Sequence, residues 1–456
     1  MQAPIVIAPP STYLVAGRRY EITSECPAPG FADALAHAHP GSHAGAHGGA
    51  ADRPRCLCQP EGIQMYVARL GDGYIVKRMP GTGQHHAPRC PSYEPPPECS
   101  GLGQVLGTAI TENPVTGETQ LRVDLSLSRI PGRASVAPSI SLGACGGSTT
   151  FDGTRLSLRA LLHYLWEQAG LTRWQPGFAG KRSWATVRRH LLQAAEHKAV
   201  RGAPLSHRLY IPEVFSVDQR DAINARRRAQ WASTAPAPNT ASTPTTTSIQ
   251  PQHLMLMIGE VKEIAPARYG HKAVIKHMPD QAFALDPTLY RRLARRFEAE
   301  LALWGTADDV HMVVIATFAI DTTGLPVITA LSLMPVTAQW LPVENAFDKQ
   351  LVDALARDGR TFVKGLRYDL PRTQALASAT LLDGEGQAPL LFIAPPGVDP
   401  VGWREAAQSV ALTPNAPVWV WQPLVEAMPP LPKREIRSHG EPDTCVTDLH
   451  ANTSRT

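Results

Sequence analysis

Three cysteines and one histidine have the side chains, and the spacing along the chain, of a metal site. Cys56 and Cys58 are separated by one residue, and His86 and Cys90 follow as a second pair. Thiolate sulfur and imidazole nitrogen are ligands that zinc prefers, and a Cys3His set closes a tetrahedral structural site. The C-x-C spacing is less diagnostic than C-x-x-C. The sequence therefore predicts one structural Zn²⁺ on these four residues, with His85 as the rival for His86.

A predicted β-hairpin lies between the two pairs and would bring them together. Residues 63–69 and 74–79 are rich in aromatic and β-branched residues, and the run Gly71-Asp72-Gly73 between them is typical of a tight turn. Because a hairpin places its two ends side by side, we expect the ligand pairs to meet at its open end. The alternative is that two of the cysteines are buried and inert and that the histidine lies on the surface.

The composition is typical of a chain with two or three domains in a reducing compartment. The chain has 456 residues, and 43% of them are hydrophobic, which is enough to build cores. Its seven cysteines are an odd number, and four fall between Cys56 and Cys99, which favours metal binding over a disulfide framework. The first residues lack a basic start followed by a long apolar run, and no apolar stretch reaches the ~20 residues of a membrane span. We therefore expect a cytoplasmic protein without membrane contact.

Changes in composition along the chain predict an α+β or α/β multidomain protein. A small zinc-binding β-hairpin module, a basic helical segment and a C-terminal α/β domain with a mixed sheet are separated by segments rich in small residues and proline. The predicted boundaries are 1–54 for an N-terminal segment with a low-complexity His/Ala/Gly linker, 55–130 for the zinc-binding hairpin and a second β-hairpin, 131–152 for a linker, 153–232 for the helical segment, 233–251 for a Thr/Pro/Ser linker, 252–425 for the C-terminal domain and 426–456 for a tail.

The helical segment is strongly basic. Between Arg155 and Arg228 there are 14 Lys and Arg against 5 Asp and Glu, whereas the whole chain carries only +4. Apolar residues at helical spacing predict helices over 156–169, 184–200 and 218–231. A basic cluster of this kind neutralises phosphates, and neighbouring tryptophans can stack on bases. The residues predicted to contact nucleic acid are Lys181, Arg182, Trp184, Arg188, Arg189 and Lys198.

The order of elements in this segment has a parallel among DNA-binding motifs. Two predicted helices followed by the extended run RLYIPEVF are similar to a winged helix-turn-helix, although the loop between the helices is long for that motif. The alternative is that the charges form a solvated helix face.

Glu260 and Lys262 lie near the end of an apolar predicted strand and match half of a nuclease signature. In restriction-type nucleases, strand carboxylates hold Mg²⁺ and a lysine assists the attacking water. The acid expected on the preceding strand is missing, and Glu213 is the nearest candidate. A salt bridge at the strand end is therefore favoured over a catalytic pair. The sequence contains no P-loop, G-x-S-x-G or H-E-x-x-H motif, so several large enzyme classes lose their usual support.

Several runs together are similar to one bacterial family. They are CLC…HAPRCPSYEPP, LSLRALLHYLWEQAGLTRW, LMLMIGEVKEIAPARYGHKAVIKHMP, RRFEAELALW and FVKGLRYDLP. On these runs, which cover most of residues 55–396, the chain resembles the domain-of-unknown-function 1173 family. The resemblance implies cargo or accessory products of bacterial integrative and conjugative elements, and it implies no reaction.

The sequence thus favours a non-catalytic zinc-binding accessory protein of a bacterial mobile element. Its expected partner is nucleic acid or a protein–DNA complex, and protein partners of the mobile element are a further possibility. Two alternatives stay open. One is a metal-dependent nuclease of the restriction-endonuclease type that uses Glu260 and Lys262. The other is a structural module that binds only proteins.

Overall fold

The structure is a computed structural model, and it describes residues 11–22, 28–39, 53–70, 73–79, 81–113, 118–125, 127–129, 153–232, 252–383, 387–410 and 417–434. The predicted linkers 131–152 and 233–251 lie outside these ranges, as do Gly71, Asp72 and most of the predicted tail.

The described residues form 22 strands and eight α-helices, with the helices placed between groups of strands. The strands up to residue 210 are β1 Ser11–Val15, β2 Arg18–Ile22, β3 Arg55–Cys56, β4 Ile63–Leu70, β5 Gly73–Arg78, β6 Ile110–Glu112, β7 Thr119–Leu121, β8 Ser128–Arg129, β9 Arg173–Trp174, β10 Lys198–Val200, β11 Ala203–Pro204 and β12 Leu209–Tyr210. The later strands are β13 Gln252–His253, β14 Met255–Ala267, β15 Gly270–Ile275, β16 Ala282–Leu285, β17 Val310–Ile320, β18 Pro326–Thr337, β19 Phe362–Lys364, β20 Ala377–Leu381, β21 Leu390–Ile393 and β22 Val418–Trp421. The helices are α1 Phe31–Ala38, α2 Leu158–Gln168, α3 Trp184–Ala195, α4 Arg220–Trp231, α5 Pro287–Arg296, α6 Glu298–Thr306, α7 Ala346–Arg357 and α8 Pro400–Val410.

The hairpin predicted between the two ligand pairs is present. β4 and β5 pair antiparallel from Met65 opposite Arg78 to Leu70 opposite Gly73. They belong to a five-stranded sheet with the order β2-β1-β3-β4-β5. The predicted low-complexity linker is partly wrong, because α1 lies within it and buries Leu35. Phe31, Ala34, Leu35 and Ala38 have the spacing of an apolar helix face, so the signal was present in the sequence.

Helix α3 is shorter than predicted. The sequence predicted a helix to residue 200, but α3 ends at Ala195 and Lys198 begins strand β10. His197 has a φ of 57°, a left-handed conformation that ends the helix and turns the chain. β10 then pairs with β7 and with β11 in a four-stranded sheet. The run RLYIPEVF forms no wing, because β12 lies within it and pairs parallel with β14.

Five strands of the second half close into a barrel. β14 pairs antiparallel with β15 and β17, β15 with β16, and β17 with β18, while β16 meets β18 in parallel at Ala284 and Val327. Counted from β14, the strand order is 1-2-3-5-4, and strand 4 returns to strand 1. The helices α5 and α6 connect strands 3 and 4. This order, with strands 3 and 5 parallel, is that of the OB-fold, a five-stranded Greek-key barrel.

Large apolar side chains fill the barrel. Phe283 and Phe318 meet edge to face with ring centroids 5.3 Å apart, and Trp231 of α4 packs against both rings. Leu289 and Leu293 of α5 belong to the same core. Each such buried side chain contributes roughly 1.5–3 kcal/mol to folding. The barrel is therefore closed by packing as well as by strand pairing.

The predicted single mixed sheet of the C-terminal domain is wrong. The strands after the barrel form a separate five-stranded sheet with the order β22-β21-β20-β19-β9. Its last strand, β9, comes from the basic helical segment. The outer face of the barrel and the helices α2 and α3 also share one core. The α+β class is confirmed. Residues of the helical segment and of the barrel share one core, although the sequence predicted that these two parts are separate domains.

Gly365 allows β19 and β20 to approach closely, which gives a test of this sheet. A Cβ at residue 365 would overlap the carbonyl oxygen of Ala377. Gly365→Ala should therefore destabilise the protein by roughly 1–3 kcal/mol or more, measured by thermal unfolding. The matched control is Gly305→Ala in α6, where nothing lies within 4 Å of the added Cβ, and helix propensity should raise stability by roughly 0.5 kcal/mol. Equal stability of the two variants would contradict the close approach.

Candidate metal centre and candidate nucleic-acid interface

The four predicted metal ligands come together. One donor atom from each of Cys56, Cys58, His86 and Cys90 lies within 4.8 Å of all the others. Cys56 is held in β3 between β1 and β4, and His86 and Cys90 lie in the turns that follow the hairpin. His86 is buried and His85 is exposed, so the structure selects His86. The cluster can hold a metal ion.

The distances between the donor atoms fit a tetrahedral ion. With Zn–S of ~2.3 Å and Zn–N of ~2.0 Å, the edges of the tetrahedron are about 3.8 Å for S···S and about 3.5 Å for S···N. The Cys56 and Cys90 sulfurs are 3.7 Å apart, and Nδ1 of His86 lies 3.3 Å from the sulfur of Cys58 and 3.6 Å from that of Cys90. All three cysteines are free thiols. These three distances are close to the edges of such a tetrahedron, and the remaining donor pairs lie within 4.8 Å of each other.

Backbone amides prepare the sulfurs for ligation. The amide of Ser92 donates to the sulfur of Cys90 at 3.4 Å, and the amides of Ala87 and Cys58 donate to the sulfurs of Cys58 and Cys56. The Cys56 thiol, His86 and the Ser92 amide together lower the pKa of Cys90, whereas the hydrogen bond to Cys90 and burial raise the pKa of Cys56. Donation to a sulfur favours its thiolate form, which is the form that binds metals.

Arg173 fastens the loop that carries Cys90 to the rest of the protein. Its guanidinium donates to the carbonyl oxygens of Pro88, Cys90, Pro91 and Tyr93 over 3.0–3.4 Å. Burial lowers the pKa of Arg173, and the nearby Cys90 opposes that shift. Because Arg173 lies in β9, this contact joins the candidate metal centre to the β19–β22 sheet. Outer contacts of this kind orient metal ligands.

Half of the residues predicted to contact nucleic acid are used inside the fold. Trp184 is 4% exposed and donates from Nε1 to the carbonyl oxygen of Pro212 at 2.8 Å. The guanidinium of Arg182 donates to the carbonyl oxygens of Leu171 and Arg173, and burial lowers its pKa to about 10. Lys198 is 5% exposed. These three side chains lie inside the fold and not on a surface along which the backbone of a nucleic acid could run.

The other predicted contacts lie at or near the surface. Lys181 is exposed, and Arg188 and Arg189 on α3 are half-buried. Arg188 also donates from Nε to the carbonyl oxygen of Ile211 at 3.0 Å. Elsewhere in the segment, Arg220 and Arg226 form ion pairs of 2.7 Å with acids. Much of the positive charge counted in the sequence is therefore balanced or buried.

Glu260 has structural partners other than Lys262. Its carboxylate is 4% exposed and accepts hydrogen bonds from Lys276 and from Nδ1 of His311, the latter at 2.7 Å. Lys262 is exposed, so the predicted salt bridge between Glu260 and Lys262 is wrong. Within the described residues, the Cys/His cluster is the one group of possible metal ligands, and no second carboxylate joins Glu260. The arrangement lacks the gathered acids that a nuclease needs to fix Mg²⁺.

The barrel presents a surface that the sequence reasoning missed. The turn between β14 and β15 exposes Tyr269, with 81% of its surface accessible, and the guanidinium of Arg268 lies 5.3 Å from its ring centroid. Lys272 on β15 is exposed, and Ala282 and Ala284 on β16 are half-buried. The signal that could have found this surface is the run Ala-Arg-Tyr-Gly-His between two apolar strands, which places a basic and an aromatic residue in a turn.

The fold and the cluster define an α+β protein with an OB-like barrel and a Cys3His group that can hold a metal ion. The chain belongs to the family described as Protein of unknown function (DUF1173), whose family model matches residues 15–424. No curated protein and no solved structure matches the chain. None of the helices among the described residues is long and apolar enough to cross a membrane.

The surroundings of Glu260 predict a pH dependence of stability. Burial raises the pKa of Glu260, but hydrogen bonds from His311 and Lys276 outweigh burial, so its pKa lies below the ordinary value. The carboxylate therefore stabilises the folded protein fully above the unfolded value of about 4.3, and this contribution is lost as the pH falls through the lower folded value. At neutral pH, Glu260→Gln should cost roughly 1–3 kcal/mol, measured by urea unfolding.

The difference in the free energy of unfolding between Glu260→Gln and the wild type should become smaller below about pH 4. The matched control is Glu263→Gln, because Glu263 is exposed on the same strand. That change should stay within about 0.5 kcal/mol at every pH. A Glu260→Gln penalty that grows on acidification would show that the carboxylate is not held in its charged form.

Proposed function

We propose that this protein binds single-stranded nucleic acid through the outer surface of its barrel and that a structural Zn²⁺ stabilises its N-terminal sheet. The observation that carries the proposal is the OB-fold strand order together with the exposed turn of Arg268 and Tyr269. In OB-folds, strands 2 and 3 and the loops 1-2 and 4-5 form the surface that binds oligonucleotides. Here these are β15, β16 and the turns at 268–269 and 321–325.

The chemistry of this surface favours a single strand over a duplex. An exposed aromatic ring stacks on an unpaired base, and every base offers a face for stacking. Arg268 and Lys272 supply cations for the phosphates. The half-buried alanines of β16 have short side chains, which leaves space beside β15 for a nucleic-acid strand. A nucleic-acid partner of this kind agrees with the partner expected from the sequence.

The zinc part of the proposal rests on the donor set. Three sulfurs and one imidazole nitrogen leave no ligand position open, which is the arrangement of structural zinc sites. When bound, the ion would cross-link β3 to the loop after β5. Cys56, Cys58 and Cys90 would bind as thiolates and His86 through Nδ1. Nδ1 is the nitrogen that faces the cluster, because it lies 3.3 Å and 3.6 Å from two of the sulfurs, and Nε2 is buried without a hydrogen-bond partner among the described residues.

Metal content tests the zinc site. Freshly purified protein should contain about one zinc per chain by mass spectrometry of the elements, and Cys56→Ser should lose most of it and unfold at lower temperature. Cys99→Ser is the matched control, since Cys99 is also a buried free thiol but lies outside the cluster. No zinc in the wild type, or full zinc in Cys56→Ser, would refute a site on these four residues.

Substitutions on the barrel test nucleic-acid binding. Tyr269→Ala should weaken binding of single-stranded DNA roughly 5- to 150-fold, because stacking contributes about 1–3 kcal/mol per base. Arg268→Ala with Lys272→Ala should reduce the salt dependence by about one unit of slope for each lost phosphate contact. Fluorescence anisotropy with labelled oligonucleotides measures both effects.

Two charge-matched pairs serve as controls for this experiment. Arg291→Ala with Arg292→Ala removes two exposed cations from α5 and should change binding little. Lys181→Ala with Arg189→Ala tests the position that the sequence first predicted. If only this second pair weakens binding, the interface lies on the helical segment. If the wild type binds no strand at low salt, the barrel surface has another function.

A further inference from the structure

A cavity of about 620 Å³ lies between the first sheet and the helical segment. Its walls come from β5, from the loop of the candidate metal centre, from β6, and from α2 and α3. The volume falls in the range of about 300–1,000 Å³ that small-molecule sites occupy. Neither the barrel surface nor the four metal ligands line it, so this cavity goes beyond the proposed function.

One of the residues that line the cavity is a buried lysine. Lys198 lines the cavity and is 5% exposed. Its Nζ donates to Thr119 Oγ1 at 2.9 Å and lies 5.4 Å from the ring centroid of Tyr164. A lysine ammonium has three protons to donate, and within the described residues no carboxylate lies within 4.0 Å of this one. It therefore has donor capacity left for a ligand.

A second lysine faces the same space from the opposite sheet. Lys77 on β5 lines the cavity, and its positive charge helps burial to lower the pKa of Lys198 to about 8. Burial lowers the pKa of Lys77 as well, and the carboxylate of Glu112 opposes this shift. Both lysines line the same cavity, and repulsion between their ammonium groups costs free energy unless an anion lies between them.

Three cations and three carboxylates line the cavity, but one of the carboxylates lies at its rim. Arg78 forms an ion pair with Glu94, and the hydroxyl of Tyr66 donates to Glu112. Glu112 is the carboxylate that most strongly opposes the lowering of the pKa of both Lys77 and Lys198, and Glu196 lies exposed at the rim. The inner part of the cavity therefore has two lysines beside one carboxylate, Glu112, in a partly desolvated space. In such a space a charge interacts more strongly with a ligand than it does in water.

The remainder of the wall is apolar. Leu102, Leu106 and Ile110 line the side formed by the segment that leads into β6. A ligand with a charged group and an apolar body would therefore satisfy both parts of the cavity.

We propose that this cavity binds a small organic anion, whose carboxylate or phosphate is held by Lys77 and Lys198 and whose apolar body packs against Leu102 and Ile110. Four strands contribute to the polar end: β5 supplies Lys77, β6 supplies Glu112, β7 supplies Thr119 and β10 supplies Lys198. Strand pairing fixes Lys198 opposite Thr119 and Glu112 opposite Thr119. The site is therefore built by rigid elements before any ligand arrives.

A fluorescent organic anion tests the proposal on the full chain. Titration with 8-anilinonaphthalene-1-sulfonate should show saturable binding. Lys77→Met and Lys198→Met should each weaken it about tenfold, as expected for loss of a hydrogen bond to a charged group. Lys262→Met removes an exposed lysine outside the cavity and should leave the affinity unchanged. Phenyl phosphate and phenylacetate then compete as probes of the two anionic groups, and benzyl alcohol is the neutral control.

The outcomes separate this site from the other proposals. Displacement by phenyl phosphate alone identifies a phosphate site, and displacement by phenylacetate alone identifies a carboxylate site. The proposal is overturned if the wild type shows no saturable binding, if both lysine variants bind as tightly as the wild type, or if benzyl alcohol competes as well as the anions. Lys77 is half-buried, so its variant should fold even if Lys198→Met does not. Zinc content and DNA binding of Lys77→Met should equal those of the wild type.

Discussion

The burial of helix α2 is the constraint on which the rest of the fold depends. Every residue from Ala160 to Trp166 is buried, so the helix has no solvent face in this stretch. A helix that is apolar on all sides must be surrounded by other elements. On one side it packs against α3, and on another it packs against the outer face of β17 and β18. The basic segment is therefore the centre of the structure and not an appendage.

Polar groups on α2 fix the segments that surround it. Nδ1 of His163 accepts the backbone amide of Tyr368 at 2.9 Å, and burial lowers the pKa of His163, which keeps the ring neutral for this role. The hydroxyl of Tyr368 donates to Glu167 at 2.6 Å, and burial raises the pKa of that carboxyl group to about 7. These bonds attach the chain after β19 to the helix. Since β19 also pairs with β9, the helix is connected through these contacts to the last sheet, and it shares a core with the barrel.

The sequence was informative wherever a local pattern decided the structure. The hairpin between Cys56 and Cys90, the cap and first-turn proline at Asp286 and Pro287, and the paired strands β17 and β18 all follow from short-range signals. The choice between His85 and His86 did not follow, because adjacent residues differ only in which side of the turn they face.

Long-range pairing explains the larger misses. Closure of the barrel depends on one parallel bridge between Ala284 of β16 and Val327 of β18. The pattern of apolar residues within either strand does not indicate which strand it pairs with. Glu260 is hydrogen-bonded to Lys276, which follows β15, and to His311 in β17. The lysine that lies close to it along the sequence is Lys262. Lys198 was assigned to a helix because its apolar neighbours continued the helical pattern, and the left-handed turn at His197 could not be read from composition.

The distribution of charge shows why a net charge cannot locate an interface. Arg173 and Arg182 use their guanidinium groups to satisfy backbone carbonyls, so these cations are structural. Their cost of burial is offset only because each donor finds an acceptor. Cations that are free to meet a phosphate are those without such acceptors, and Arg268 and Lys272 are exposed outside the segment with the excess charge. Lys77 and Lys198 are the intermediate case, because Lys77 is half-buried and Lys198 is buried, yet Lys198 has one hydrogen-bond acceptor for its three protons. The number of acceptors around each cation therefore distinguishes structural cations from cations that can bind a ligand. The summed charge of a segment does not make this distinction.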